Sequence, residues 1–300
     1  MGKVVVNSAI HAIKLRKFTN TLLDLLQYSM QAFIKSIQTN KFLIVELLKQ
    51  NLFTQYKQSK FSLFWIIFNP FFQIIIWSIL HYSGFLSVGS VQVPYLIYLV
   101  AGMILWWFAF NIYESVSTIY SKYSGIILEN RFDLSVLIIE AILRQMIFFM
   151  IHLIVLFIIC IYFKFHFQSA SILYPVLLLP LLFFSVALGL VFAVWRILAV
   201  DLAMIFDKMM ALLFFITPIL YKPTYDNPYK PNFDNPLLSY IIRFNPFTHL
   251  ILLPRNALIY GELPPIIGIL VIYIISFVCM YLALAYFQRM KFKTIEKLLQ

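Results

Sequence analysis

Glu114, Glu140, Arg144, Asp201, Asp207 and Lys208 are the ionisable side chains that interrupt the long apolar stretches of this 300-residue chain. An acid or base set in hydrocarbon marks an ion path or proton relay by default, because an isolated charge there is costly. These six residues all fall toward one predicted end of their apolar runs, so structural pairing or snorkelling to the interface is read in preference to a relay. Other reactive groups are scattered. His11, His81, His152, His166 and His249 lie on different segments, and no His-Glu-x-x-His occurs, so zinc hydrolysis has no support. The only Gly-Lys pair is Gly2-Lys3, so the chain carries no nucleotide-binding P-loop. Cys160 and Cys279 both sit within apolar runs and read as small buried or lipid-facing residues rather than a disulfide or metal site.

The elements that must position these residues are membrane helices. Residues 61–113 contain no Asp, Glu, Lys or Arg. A helix needs about 20 apolar residues to cross a bilayer, so this run holds two crossings, with a turn at Ser83-Gly84, Ser87–Ser90 and Pro94. The chain is 62% hydrophobic and 12% charged, with mean hydropathy +0.89, where soluble domains carry about 25% charged residues. Continuous apolar runs, rather than alternation over about 10 residues, exclude a β-barrel. The predicted fold is an all-α integral membrane protein with six transmembrane helices over residues 61–82, 95–119, 136–163, 172–195, 202–221 and 264–287. No secretory signal peptide is evident.

Residues 1–60 form a cytoplasmic amphipathic N-terminal region, 61–287 the six-helix membrane domain and 288–300 a basic cytoplasmic tail. In the first region Leu22, Leu25, Leu26, Ser29, Phe33 and Ile37 recur at helical spacing, followed by Leu43, Leu47, Leu48 and Leu52. This predicts an interfacial helix on the membrane surface, docked on a partner, or both. Lysines and arginines collect at both termini: Lys3 to Lys60 before the first span, and Arg289, Lys291, Lys293 and Lys297 after the last. The net charge of +11 therefore answers to anionic lipid, not nucleic acid, and the positive-inside rule places both termini in the cytoplasm. Residues 222–263 contain a Pro- and Asn-rich stretch and then two apolar pieces broken at Asn245-Pro246 and Pro254-Arg255. Each piece is too short to span. They are predicted as a re-entrant helical pair between spans five and six, in preference to helices lying flat on the surface. Phe61, Trp65, Phe68 and Phe72 fall at helical spacing on the first span. Such a face stacks on sugar rings or packs on lipid and neighbouring helices, and spacing alone does not choose.

Three motifs resemble the type-2 ABC exporter permeases that move lipid-linked polysaccharides. The entry to the first span carries Tyr56, Lys57, Ser59, Trp65, Asn69 and Pro70. The fifth span carries Asp201 and then Phe215, Thr217, Pro218, Ile219 and Tyr221. The broken pair carries Asn245, Pro246, Arg255 and Gly261. The chain departs from the family at Ser62 and Val200, where glycine and arginine are usual, and in the segment before span three.

The resemblance implies a homodimer paired with two copies of a separate ATPase subunit, which binds ATP and Mg; no cofactor is expected in this chain. Other implied partners are membrane lipid and a polyprenyl-pyrophosphate-linked glycan, in a bacterial inner (cytoplasmic) membrane. In the family the first and fifth spans line the channel. That implies a substrate pathway along Phe61, Trp65, Phe68, Phe72, Phe206, Met210, Thr217 and Tyr221. Asn245, Pro246, Pro254 and Arg255 would close its outer gate, and Lys122, Glu129, Arg131 and Asp133 would couple to the ATPase. Trp106 and Trp107 are read as packing or interface residues. Alternative readings are a type-2 permease for a small lipid or drug, and a membrane-embedded glycan-processing enzyme. The enzyme would need an acid/base constellation that the sequence does not provide.

Overall fold

The structure, a computed structural model, describes residues 31, 35–57, 62–85, 91–129, 133–222, 224–227, 230–232 and 236–300. The side chains of residues 53–57, 62–67, 69, 129, 224–227, 230–232 and 236 lie outside the description. The apolar residues 22–33 proposed for the interfacial helix fall outside it too, apart from residue 31.

Helices dominate. α1 (Lys41–Lys57) precedes α2 (Ser62–Tyr82), α3 (Tyr95–Ser117), the short α4 (Ile119–Lys122) and α5 (Ser124–Glu129), and α6 (Leu134–Tyr162). A 3-10 turn at Ser169–Leu173 and α7 (Tyr174–Leu177) lead into α8 (Leu179–Leu198) and α9 (Val200–Ile216). α10 (Pro236–Phe244), α11 (Pro246–Ile259) and α12 (Ile266–Leu298) complete the chain. Among the described residues the β structure is a short antiparallel ribbon, Thr224–Asn227 with Lys230–Asn232, inside the Pro/Asn-rich stretch.

Among the described residues, four helical segments are long and apolar enough to cross a membrane: Tyr95–Ser117, Leu134–Tyr162, Ser169–Leu198 and Ile266–Leu298. They correspond to predicted spans two, three, four and six. The fourth is jointed, with Pro175 and Pro180 each in the first turn of a new helix, where the missing N–H costs no intrahelical bond. α2 matches the first predicted span in extent. α9 has 17 residues, with Asp201, Asp207 and Lys208 on it, and stops short of predicted residue 221. The reason is Pro218. A residue before proline is pushed out of the helical region, and Thr217 is extended at φ −74°, ψ 133°. At the other end of the chain, α12 runs without a break past residue 287, so the basic tail residues to Lys297 continue the last helix.

The core forms around α3. Of its most apolar window 78% is buried, against 11% for α12, so α3 is the central helix and α12 lies on the perimeter. α8 packs between the two, and α6 covers another side of α3. Close approach of α3 and α8 depends on Gly189, because a Cβ there would stand 2.6 Å from Cβ of Val116.

Candidate functional site

Two polar clusters sit at opposite ends of α3. The first gathers the charged residues of the apolar runs. Arg196, in the last turn of α8, donates from Nη1 to Oδ2 of Asp207 at 2.9 Å and from Nη2 to Oδ1 at 2.7 Å. Its Nε donates to Ser117 Oγ at 3.1 Å, and the Tyr113 hydroxyl donates to Asp207 Oδ1 at 2.7 Å. A bidentate fork thus ties α8 and α9 to α3. On α6, Arg144 Nε donates to Glu140 Oε1 at 3.0 Å, one helical turn away, and Glu140 is fully buried. Tyr123 donates to the other carboxylate oxygen at 3.3 Å and accepts from Asn51 Nδ2 at 2.8 Å, which links α1 to α6. Gln145 Nε2 adds a bond to Ser115 Oγ at 2.8 Å. Glu140, Arg144 and Asp207 are therefore in structural pairs, whereas Glu114, Asp201 and Lys208 are exposed.

Beside this cluster lie the residues proposed for coupling. Lys122 is exposed on α4, its ammonium 5.1 Å above the Tyr123 ring. Asp133 is the N-cap of α6, its Oδ1 accepting from the Ser135 amide at 3.0 Å. Burial pushes the Asp133 carboxyl up, but hydrogen bonds from its neighbours, the Ser135 amide among them, and the Lys291 charge outweigh it and hold the group below its ordinary value. Glu129 ends α5 with its side chain outside the described residues, and Arg131 lies outside them entirely.

The second cluster joins two of the three motifs. Asn245 precedes Pro246 and is extended, like Thr217 before Pro218, so it caps α11 by accepting from the Phe247 amide at 3.0 Å. Its Nδ2 then donates to Thr217 Oγ1 at 2.8 Å. The end of α9 and the start of α11 are pinned to each other where proline breaks both. Behind this joint lies Arg255, with 0% exposure. Its guanidinium stacks 4.2 Å over the Tyr98 ring, and Nη1 is 3.5 Å from the Ile219 carbonyl. No carboxylate pairs with it among the described residues, and its Nε has no hydrogen-bond partner among them. Tyr98 donates to the Tyr221 carbonyl at 2.7 Å and Tyr95 to the Leu220 carbonyl at 3.1 Å, so α3 holds the whole Thr217–Tyr221 turn. Gly102 makes room. A Cβ there would lie 3.0 Å from Arg255 Nη1 and 3.3 Å from the Ile219 oxygen. Lys222 sits 4.7 Å over the Tyr260 ring nearby.

Among the described residues, the predicted pathway residues are spread over several contacts within this chain. Phe61 and the Trp65 side chain lie outside the described residues. Phe68 and Phe72 contact each other at 5.2 Å between ring centroids, with Phe72 47% exposed on α2. Phe206 stacks on Phe192 at 3.9 Å beside Tyr113, and Met210 is buried in the core. Thr217 bonds to Asn245, one of the residues predicted for the gate, and Tyr221 donates to the Ile216 carbonyl at 2.8 Å. Pro254 is buried within α11, and Pro246 is exposed at its start. Trp106 packs against Phe214 and Phe247, and Trp107 donates to Gln73 Oε1 at 3.1 Å. Sequence reasoning missed Tyr98, Tyr113, Tyr123 and Arg196. The available signal was polar-tipped tyrosines recurring within otherwise apolar helices, since a buried tyrosine hydroxyl needs a partner.

Helices long enough to span, charges tied into structural pairs at one end and a proline-broken helical pair at the other define a polytopic helical membrane protein. Its particular likeness is to two O-antigen export system permease proteins, both named RfbA, of Klebsiella pneumoniae. One is 28% identical over 259 residues and the other 25% over 261, each alignment covering 85% of this chain and 94% of the relative. No protein-family model matches the sequence. The similarity to proteins named as export permeases thus runs well beyond the three short motifs, over 85% of this chain.

Proposed function

We propose that this chain is the transmembrane subunit of an ABC exporter that moves a lipid-linked polysaccharide across the bacterial cytoplasmic membrane. The cargo is of the O-antigen, capsule or teichoic-acid type, attached to a polyprenyl pyrophosphate. The observation that carries the reading is the similarity to O-antigen export permeases over 85% of the chain. It is supported by the pinning of the Thr217-Pro218 and Asn245-Pro246 breaks against each other, which joins two motifs distant in sequence at one end of α3. Energy comes from a separate ATPase subunit that binds ATP and Mg, and two copies of each chain assemble. α2 and α9 complete the six spans, α10 and α11 re-enter the outer leaflet, and both termini are cytoplasmic. Phe72 and its neighbours on α2 face the pathway formed between protomers. Arg255 and the Asn245 joint close its outer end, and the α4–α5 segment with Asp133 meets the ATPase.

The test is loss of function with the cargo followed. Cells lacking this chain are expected to accumulate lipid-linked glycan inside and to lose it from the surface, and normal surface glycan would overturn the reading. Purified alone, the chain is expected not to hydrolyse ATP, and to do so only in complex with the partner subunit. Topology is checked by cysteines at Ser87 and Asn232, expected to react with an impermeant reagent from outside, and at Gln300, expected to be protected. The Trp65→Ala, Phe72→Ala double variant is expected to export less glycan while still copurifying with the ATPase.

A further inference from the structure

We propose that the groove between the α10–α11 pair and α12 holds the hydrocarbon chain of an anionic phospholipid of the surrounding bilayer, with the lipid phosphate on Arg243. The groove has a volume of about 760 Å³, within the size range of ligand pockets, about 300–1,000 Å³. Its wall is almost wholly hydrocarbon, with Phe184 of α8, Leu250 and Leu253 of α11, and Gly268, Ile272 and Ile275 of α12. The α12 residues recur at three- and four-residue spacing, so one face of the last helix forms that wall. Ile275 is 54% exposed and Val271 47%. The groove therefore opens sideways on the perimeter of the bundle, along a helix long and apolar enough to span.

Hydrocarbon alone cannot select an occupant, because lipid tails are as apolar as the wall. Selection falls to charge. Arg243 lines the groove, is exposed, and has no acidic partner among the described residues. His249 Nε2 lies 2.8 Å from the Arg243 carbonyl, and since a carbonyl only accepts, Nε2 carries the proton. This bond ties the end of α10 to the first turns of α11. An arginine beside a lipid-filled groove matches a phosphate headgroup through charge-assisted, bidentate hydrogen bonds. The occupant is bilayer lipid rather than the cargo carrier, because the groove lies on the α12 flank whereas the proposed pathway runs along α2 and α9. The choice of bilayer lipid over the carrier rests on that proposed pathway, whereas the groove and its arginine need only that the chain is embedded in a membrane.

The test uses the full chain in detergent, titrated with phosphatidylglycerol or phosphatidylcholine and read by native mass spectrometry. Preferential retention of phosphatidylglycerol is expected. Arg243→Gln is expected to weaken that retention about tenfold, the effect of one charge-assisted contact, and to weaken phosphatidylcholine less, because its choline already offsets the phosphate charge that Arg243 meets. Gly268→Leu fills the groove, since a Cβ there meets nothing nearer than Pro264 Cβ at 3.8 Å. It is expected to abolish crosslinking of α11 and α12 peptides by a phosphatidylglycerol bearing a photoreactive tail. Equal retention of the two lipids, an Arg243→Gln variant that binds like wild type, or undiminished crosslinking in a folded Gly268→Leu variant would each overturn the proposal. So would displacement of phosphatidylglycerol by a polyprenyl phosphate at lower concentration, which would assign the groove to the carrier. If Gly268→Leu fails to fold, the exposed Arg243 position decides by itself. The assay contains neither ATPase nor glycan, so its failure would leave the export reading standing.

Discussion

Arg144 and Arg196 meet carboxylates at 3.0 and 2.7 Å, whereas Arg255, at least as deeply buried as either, meets a tyrosine face at 4.2 Å and a carbonyl at 3.5 Å. The first two bind helices into a scaffold through charge-assisted hydrogen bonds, which are about twice as strong as neutral ones. The third is held by a ring quadrupole, worth roughly 2 kcal/mol when desolvated, and by one long contact. A cation held in this way is released at smaller cost than one locked to an acid. The charged end of the bundle is thus held by ion pairs between side chains, and the proline-broken end by a buried arginine on a tyrosine ring and by the Asn245–Thr217 hydrogen bond.

The sharpest test removes the most buried acid. Glu140→Ala leaves Arg144 without its carboxylate and Tyr123 without an acceptor. Breaking a buried pair by removing one partner costs about 3–5 kcal/mol, so a large fall in thermal midpoint, or loss of the folded protein, is expected. A near-neutral result would dissolve the distinction between the two ends.

Asp207→Asn removes the charge from a pair that is only partly buried, with side-chain exposures of 20% for Arg196 and 35% for Asp207. Asparagine can still accept from Tyr113 or Arg196, so a loss of about 1–3 kcal/mol is expected by thermal unfolding in detergent.

At the other end, Arg255→Met deletes an unpaired charge while keeping side-chain bulk. Stability is expected to change by about 2 kcal/mol or less, while glycan export falls with protein level unchanged. Arg255→Lys, which keeps the charge and loses the planar fork, is expected to fall between wild type and Arg255→Ala in export. If Arg255→Met unfolds the protein as Glu140→Ala does, Arg255 belongs to the scaffold and the comparison fails.

The smallest effect is expected at the N-cap of α6. Asp133→Ala is expected to cost about 0.5–2 kcal/mol, read as a lowered thermal midpoint. The Asp133 carboxyl is held below its ordinary value of 3.8, so the stability it contributes is fully present above that value and lost as the pH falls through the lower folded value. The thermal midpoint of wild type is expected to fall on acidification below about pH 4 more steeply than that of Asp133→Ala. Parallel curves would show that the carboxylate is not linked to folding.

Much of the fold was legible because a bilayer admits few solutions. Every backbone polar group in hydrocarbon must be bonded within its own segment, so apolar runs of sufficient length read directly as helices. Predicted spans two, three, four and six each correspond to a segment of spanning length. The start of α11 at Pro246 was equally local, since proline restricts the residue before it whatever surrounds it; the same rule stops α9 at Thr217, although the predicted span ran past Pro218 to residue 221. The amphipathic pattern before residue 34 falls largely outside the described residues and stays an expectation.

Partner choice was not legible. Arg196 lies eleven residues before Asp207, and Arg255 lies far from Tyr98 and Ile219 in sequence. Nothing in residue type says that one arginine will find an acid and the other a ring. The sequence by itself determined that this is a helical membrane protein and that proline breaks its helix at Asn245-Pro246. Only the tertiary structure decided how its charges are satisfied and that Thr217 meets Asn245. These depend on which helix faces pack together, and packing is set by side-chain shape across the whole bundle, as at Gly102 and Gly189.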